Sequence, residues 1–158
     1  MTPFTFVHVL LSLIAIVAGI AVAVGLLTQR RLERWTLVFL VTTAATCATG
    51  FLFPFVRFLP SHAVGILTSL IVIVAIYARY SRHMRGVWRA VYVVAAIAAF
   101  FFNSFVLVAQ AFLKIPSLHE LAPTQAEPPF AIAQGLLFAV FLFAGVLAVR
   151  RFRPAARE

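Results

Sequence analysis

The 158-residue chain is 64% hydrophobic and only 11% charged, and its mean hydropathy is +1.08. Ordinary soluble domains contain roughly 45–50% apolar residues, so this composition excludes a soluble globular fold and predicts an integral membrane protein. The apolar stretches use nearly all of the chain, which leaves room for one helical bundle and no separate soluble domain. Residues 1–158 are therefore predicted to form a single domain.

Five apolar stretches reach the roughly 20 residues that an α-helix needs to cross a hydrocarbon core of about 30 Å. Backbone groups in lipid must satisfy their own hydrogen bonds, so each stretch is predicted to be α-helical. The fold class is therefore all-α, a polytopic bundle of five transmembrane helices. The predicted spans are residues 4–28, 35–58, 61–80, 87–113 and 129–150.

The placement of charge predicts the orientation of the bundle. Of the 13 basic residues, all but Arg57 and Lys114 fall on one side of a five-span arrangement. By the positive-inside rule that side is cytoplasmic, which puts the N-terminus outside and the C-terminus in the cytoplasm of a bacterial-type inner membrane. The net charge of +9 is then explained by loop arginines that fix orientation, and nucleic acid is not predicted as a partner.

Small and hydroxyl-bearing residues recur at four-residue spacing in the first two predicted helices. They are Ala15, Gly19 and Ala23 in the first helix and Thr42, Thr46 and Gly50 in the second. Small residues at this spacing let helix backbones approach closely in lipid. The pattern predicts tight packing between the first two helices or against another copy of the chain.

Polar residues interrupt the fourth helix and fill the loop that follows it. Asn103 lies near the middle of the helix, and Gln110 lies two turns further along the same face. An unpaired amide in hydrocarbon costs several kcal/mol, so both are predicted to face protein or a water-filled cavity. The following loop carries His119, Glu120 and Glu127 among several prolines, and it is predicted to form a lid over the outer end.

Several polar side chains are predicted to lie at a similar depth in the membrane. At ~1.5 Å per residue, His8, His62 and Gln134 lie within roughly 2–8 Å of the outer boundary, and Gln110 lies at a similar level. Asn103 lies about 10 Å deeper on the same helix face as Gln110. The arginine-rich half of the bundle has no comparable set in the sequence. A polar pocket is therefore predicted in the outer leaflet, formed by the first, third, fourth and fifth helices.

Three kinds of ligand suit such a pocket. Two neutral histidines from different helices can ligate the iron of a b-type haem, and His8 with His62 is the available intramembrane pair. A copper or zinc site would need a further donor from the loop, such as His119, and no HxxxH or CxxC spacing supports one. A quinone or lipid headgroup needs an apolar slot with a few polar groups at its mouth, which Gln110, Gln134 and either His8 or His62 could supply.

Each of these side chains also has a structural interpretation. Histidines near a helix start can sit in the wetted headgroup region, and Asn103 and Gln110 can pair helices. Glu127 precedes Pro128 and Pro129, and it can stabilise the positive N-terminus of the fifth helix.

The sequence thus leaves two functions open. The leading one is a binding protein for a membrane-embedded redox cofactor or quinone-like ligand, as a subunit of an electron-transfer system. The alternative is a non-catalytic structural or assembly subunit. Neither is predicted to be an enzyme on its own. The expected partners are membrane lipid and other membrane subunits or further copies of the chain.

Two runs, NSFVLVAQAF and LAPTQAEPPF, resemble segments of small uncharacterised bacterial multi-pass membrane proteins. The resemblance extends over residues 103–130. It implies a relationship to such proteins and no particular function.

Overall fold

The structure is a computed structural model that describes residues 2–53 and 60–153. Its helices are α1 (Pro3–Leu27), α2 (Glu33–Phe51), α3 (Pro60–Ile76), α4 (Val87–Lys114), α5 (Pro116–Leu121) and α6 (Pro128–Arg151). A wide π-helical turn, Tyr77–Ser81, continues α3. The described residues contain no strand, so the all-α class predicted from composition is confirmed.

The long helices begin where the sequence places helix-starting residues. Thr2 caps α1 by accepting a hydrogen bond from the backbone N–H of Thr5 at 3.2 Å, and Pro3 occupies the first turn. The adjacent prolines 128 and 129 open α6 in the same way. The bounds of α1, α4 and α6 accordingly agree with the predicted spans to within one residue.

The second helix is shorter than predicted. The predicted span ran from residue 35 to 58, but α2 ends at Phe51, and Leu52 and Phe53 have already left the helix. The physical reason is Pro54, which lacks a backbone donor and disfavours helical backbone in the residue before it. Arg57 lies outside the described residues.

Four helices in the described part of the chain are long and apolar enough to cross a membrane. They are Pro3–Leu27, Ser61–Ser81, Val87–Lys114 and Pro128–Arg151. Over its described residues, α2 is not among them, because Glu33 and Arg34 occupy its first turn and threonines recur through its second half. The chain is thus a helical membrane protein with four clear candidate spans, and a fifth span stays a prediction.

The fourth helix is the centre of the bundle. It packs against α1, α3 and α6, and it carries the longest set of buried residues, including Tyr92, Ala96, Phe100 and Asn103. α2 packs against both α1 and α3. α6 lies at the edge, and Ala148 alone is buried among its described residues, 128–151.

Contacts between helix ends show that neighbouring helices alternate in direction. Glu33 at the start of α2 meets Arg79 at the end of α3, and Arg89 at the start of α4 meets the backbone of Phe152 after α6. We call this the arginine-rich end. At the opposite end, His8 near the start of α1 meets Thr49 near the end of α2.

The small residues of α1 and α2 have different partners. Gly50 lies beside His8, and a Cβ added there would be 3.6 Å from the imidazole, so it belongs to the predicted contact between α1 and α2. Gly19 instead faces the ring of Phe100 on α4. The missing side chain at Gly19 therefore makes room for an aromatic ring in the core.

Candidate functional site

His8 is held by α2 instead of facing an open pocket. Its Nδ1 lies 2.8 Å from the Thr49 hydroxyl, and its half-buried ring meets the edge of Phe53 with centroids 5.2 Å apart. The Thr49 hydroxyl donates its one hydrogen to the backbone carbonyl of Ala45 at 2.8 Å, so Nδ1–H of the imidazole is the donor to the Thr49 oxygen. This arrangement links α1 to α2 near the end of the bundle.

His62 lies in the first turn of α3 and is half-buried. A bis-histidine haem would have to lie between α1 and α3, which each pack against α2. With Nδ1 of His8 engaged by Thr49, only Nε2 would be available as an axial ligand. The described residues also contain no group of three or more histidine, cysteine or acidic side chains that could hold a metal ion.

The two amides of α4 have different surroundings. Asn103 is only 9% exposed, and its Nδ2 donates to the hydroxyl of the fully buried Thr43 at 3.1 Å. Asn103 thus faces protein, as predicted, and pairs α4 with α2. Gln110 is exposed on the outer surface of α4 and does not share that environment.

We expect the Asn103–Thr43 bond to contribute ~1 kcal/mol to stability, the usual scale for a hydrogen bond between membrane helices. A double-mutant cycle of Asn103→Leu and Thr43→Val, measured by unfolding in mixed detergent micelles, should give a coupling energy of about that size. Thr42→Val is the matched control, because the Thr42 hydroxyl donates to its own helix at Val38. Equal coupling of Asn103 to Thr42 and to Thr43 would contradict the assignment.

Two glutamines attach the last part of the chain to α4. Nε2 of Gln134 donates to the backbone carbonyl of Phe105 at 3.1 Å, and Nε2 of Gln125 donates to that of Ala109 at 2.7 Å. The amide oxygen of Gln134, Oε1, is buried and has no hydrogen-bond partner among the described residues. A buried acceptor without a donor costs roughly 1–3 kcal/mol, so a ligand or water that gained access to this atom would be stabilised by donating to it.

The predicted lid contains a short helix. α5 begins at Pro116, and both His119 and Glu120 are exposed on it. Glu127 immediately precedes α6, where it accepts hydrogen bonds from the Thr124 hydroxyl at 2.8 Å and from the Ala126 backbone N–H at 3.1 Å. Glu127 therefore organises the turn that leads into α6.

The turn at Glu127 should loosen in acid. Loss of hydration alone would favour the protonated form, but hydrogen bonds from Thr124 and Ala126 outweigh it and lower the pKa of Glu127 below 4.5. A lowered pKa means that the stabilisation is complete above the ordinary value and is lost as pH falls through the lowered one. Hydrogen-exchange protection of the Thr124 and Ala126 amides, corrected for intrinsic rates, should begin to fall as the pH drops towards 4.5 and should continue to fall below it.

Glu127→Gln is the control for this pH dependence. It keeps an acceptor oxygen but removes the titration, so protection at Thr124 and Ala126 should be weaker and nearly independent of pH. If the variant shows the same loss of protection in acid, another group controls the turn.

An apolar groove of ≈ 460 Å³ lies between α4 and α6. Phenylalanine rings line its inner part, with the Phe101 centroid 5.8 Å from that of Phe138 and 5.7 Å from that of Phe141. Gly145 and Arg150 lie further along towards the arginine-rich end. We call this the α4–α6 groove. None of the five residues predicted to form the outer pocket lines it, although Gln134 lies one turn beyond Phe138 on the same helix face.

A buried charged cluster, which was not predicted, occupies the arginine-rich end. The side chain of Arg79 is only 4% exposed; its Nη2 donates to Oε2 of Glu33 at 2.5 Å. Its guanidinium lies 5.0 Å from the ring centroid of Tyr92, and Met84 packs beside it. Buried polar side chains therefore also lie in the half of the bundle for which no set comparable to the outer one was predicted.

The burial of Arg79 was missed because this residue lies three positions before Arg82, close to the predicted end of the third helix at residue 80. The sequence counts Arg79 among the loop arginines, but a π-helical turn keeps residues 77–81 helical and turns Arg79 inward. Such wide turns are frequent where a side chain must be repositioned. Glu33, as an acidic residue at the start of a helix, was the available clue to an ion pair.

No family model matches the chain, and searches of curated proteins and of solved structures find no similar protein. The candidate site is therefore argued from its own chemistry. The feature with the clearest capacity for a ligand is the α4–α6 groove with Oε1 of Gln134 beyond its phenylalanine-lined part.

Proposed function

We propose that the protein binds a quinone-like ligand within the membrane and serves as an accessory subunit of an electron-transfer system. In this proposal all five long helices cross a bacterial-type inner membrane, with the N-terminus outside and the arginine-rich end in the cytoplasm. α2 is included because it runs beside α1 and between the same two ends of the bundle. The partners would be lipid, the redox subunits of such a system and further copies of the chain.

The α4–α6 groove supports the apolar part of this proposal. A quinone-like ligand combines a flat polar ring with a long apolar tail, and binding sites for such molecules are mainly apolar and aromatic. The groove is open to the bilayer, and Phe101, Phe138 and Phe141 line it. The tail would lie along the groove, and the ring would lie beyond Phe138, near Gln134.

The observation that carries the proposal is the unpartnered Oε1 of Gln134. Its Nε2 is already used by the Phe105 carbonyl, so the side chain can accept a hydrogen bond but has little left to donate. Once neighbouring side chains move aside to admit the ring, a quinol hydroxyl can donate to this oxygen, whereas a quinone carbonyl cannot. The site is therefore suited to the reduced form of the ligand.

Between the two cofactors that the sequence left open, we favour a quinone over haem b. His8 is engaged by Thr49, and α1 and α3 both pack against α2 instead of enclosing a cleft between them. An axial pair would need a rearrangement of these helices.

Anaerobic equilibrium dialysis of the purified protein against a short-chain benzoquinol and the matching benzoquinone tests the proposal. We expect the quinol to bind about tenfold more tightly, the factor that corresponds to one hydrogen bond of ~1.4 kcal/mol. Gln134→Leu should remove this preference while leaving the binding of the quinone nearly unchanged.

A matched pair at Gly145 tests the position of the ligand. Gly145→Ala should preserve binding, because a Cβ there would lie 3.4 Å from Ile97, an ordinary contact. Gly145→Leu should block the groove, so the long-tailed quinone that is extracted with the protein should be lost. Mass spectrometry quantifies this quinone. Absence of any quinone binding, or equal binding by both glycine variants, would count against the proposal.

A structural or assembly subunit is the second candidate, and one observation favours it. Asn103 and His8 each pair their helix with α2 through buried or half-buried hydrogen bonds, which is what polar groups do in a packing role. If the protein binds no quinone, but its loss disperses a larger membrane complex on a native gel, this candidate replaces the first.

A further inference from the structure

A second apolar groove, of ≈ 560 Å³, lies between α3 and α4. Its walls are Leu70, Ile71 and Val74 from α3 and Ala90, Val91, Val94, Ala95 and Ala98 from α4. We call this the α3–α4 groove. The alanines of α4 leave a depression that α3 does not fill, and Leu70 and Val94 are more than half exposed beside it. Because α3 and α4 are candidate spans, the groove opens into the hydrocarbon of the bilayer.

Aromatic rings close the groove at the arginine-rich end. Tyr77 lies about one turn after Val74, the last residue of α3 that lines the groove. Trp88 lies two residues before Ala90, the first residue of α4 that lines it. Their rings meet edge to face with centroids 5.2 Å apart. Tyrosine and tryptophan favour the level of the lipid headgroups, so this pair marks where the groove meets the membrane surface.

Arg82 is fixed beside this pair. Its guanidinium carbon lies 5.2 Å from the centroid of the Trp88 ring, and the side chain is exposed. A guanidinium held over an aromatic face keeps its outward N–H groups available, and its fork matches the oxygens of a phosphate. The apolar groove therefore ends at a preoriented cation.

The balance of charge at this end favours an anionic ligand. Within the described residues, Glu33 is the acidic residue at the arginine-rich end, and it is bonded to Arg79. Arg82 has no carboxylate partner in the described part of the chain. Arg85 lies three residues further on and is also exposed. A lipid with a net negative headgroup complements this arrangement better than a zwitterionic one does.

We propose that the α3–α4 groove is a binding site for one anionic phospholipid, with an acyl chain in the groove and its phosphate on Arg82. Basic residues between membrane helices at the level of the headgroups are a recurring way to bind such lipids. The site is separate from the quinone-like ligand of the α4–α6 groove, although Val94 and Ala98 border both grooves. Neither proposal depends on the other.

Quenching of Trp88 fluorescence by phospholipids with brominated acyl chains tests this site. The chain has two tryptophans, so the Trp35→Phe background leaves Trp88 as the reporter. In bilayers that mix brominated and unbrominated lipid, we expect phosphatidylglycerol to bind about fivefold more tightly than phosphatidylcholine, which corresponds to ~1 kcal/mol for one arginine at the surface. Arg82→Gln should bring this ratio close to one.

Two further variants separate a specific site from general attraction. Arg34→Gln removes an exposed arginine from the same end of the bundle and should leave the fivefold preference in place. Ala90→Phe should fill the groove and weaken the quenching by both brominated lipids. The proposal would be overturned if the Trp35→Phe protein showed no preference for phosphatidylglycerol or if Arg34→Gln lost this preference as fully as Arg82→Gln. Undiminished quenching in Ala90→Phe would also overturn it.

Discussion

Replacing Glu33 with leucine is expected to destabilise the protein by about 2–3 kcal/mol. The substitution leaves the guanidinium of Arg79 buried without its carboxylate, and breaking a fully buried ion pair from one side costs roughly 3–5 kcal/mol. The expected loss is smaller than that because the Glu33 side chain is 45% exposed, so water already screens part of the interaction. Unfolding by a denaturing detergent in mixed micelles measures the difference.

The two sides of this ion pair should not be equivalent. Arg79→Met removes the buried charge and leaves a carboxylate that water can reach, so it should cost less than Glu33→Leu. The double variant, Glu33→Leu with Arg79→Met, should lose less stability than the two single variants lose in sum, because it leaves no buried charge unpaired. Glu120→Leu, which removes an exposed acid from α5, should change stability by less than ~0.5 kcal/mol. A Glu33→Leu effect as small as that of Glu120→Leu would contradict the assignment of a buried pair.

Gly19→Ala is expected to destabilise the bundle by ~1–3 kcal/mol, although alanine is normally the better helix residue. A Cβ at position 19 would lie 2.5 Å from Cδ2 and 2.9 Å from Cγ of Phe100. These atoms belong to the base of a ring that cannot easily move, since Phe39 and Phe141 pack against it with centroids 6.4 Å and 4.8 Å away. The same detergent unfolding experiment reports the effect.

Gly135 provides the matched control for Gly19. It also lies in the interior of an apolar helix, but a Cβ there would meet no atom within 4 Å. Gly135→Ala should therefore be neutral or stabilising by up to ~1 kcal/mol. Phe100→Leu in the Gly19→Ala background should recover part of the lost stability, and failure to do so would mean that the clash with the ring is not the cause.

The helices were predictable because their lengths and end residues are local properties. A run of apolar residues and a proline or capping threonine specify where α1 and α6 begin, without reference to the rest of the chain. The end of α2 was missed because the apolar run continues past Phe51, while the backbone restriction imposed by Pro54 acts on the residues before it.

The side-chain partners were less predictable, because they depend on how helices rotate about their axes. Asn103 and Gln110 are seven residues apart, yet one is buried against Thr43 and the other is exposed, since the Thr43 side chain of α2 meets α4 at the level of Asn103. His8 and His62 share a depth in the sequence, but depth does not specify which neighbour each ring meets. The inward direction of Arg79 depends on a single π-helical turn, for which the apolar pattern has no signature.

The attachment of α6 has a consequence for the order in which the bundle assembles. α6 buries little apolar surface, and polar contacts hold it to α4: Gln134 bonds to Phe105 at one end, and Arg89 donates to the backbone carbonyls of Val149 and Phe152 at the other. This helix also follows α1 to α4 in the chain, so it leaves the ribosome after them. We therefore expect α1 to α4 to associate first in the membrane and α6 to dock afterwards. Arg89 is then already positioned to donate hydrogen bonds to the backbone carbonyls at the C-terminal end of α6. A chain in which Arg89 is replaced should insert fully but remain sensitive to proteolysis in the 122–127 loop.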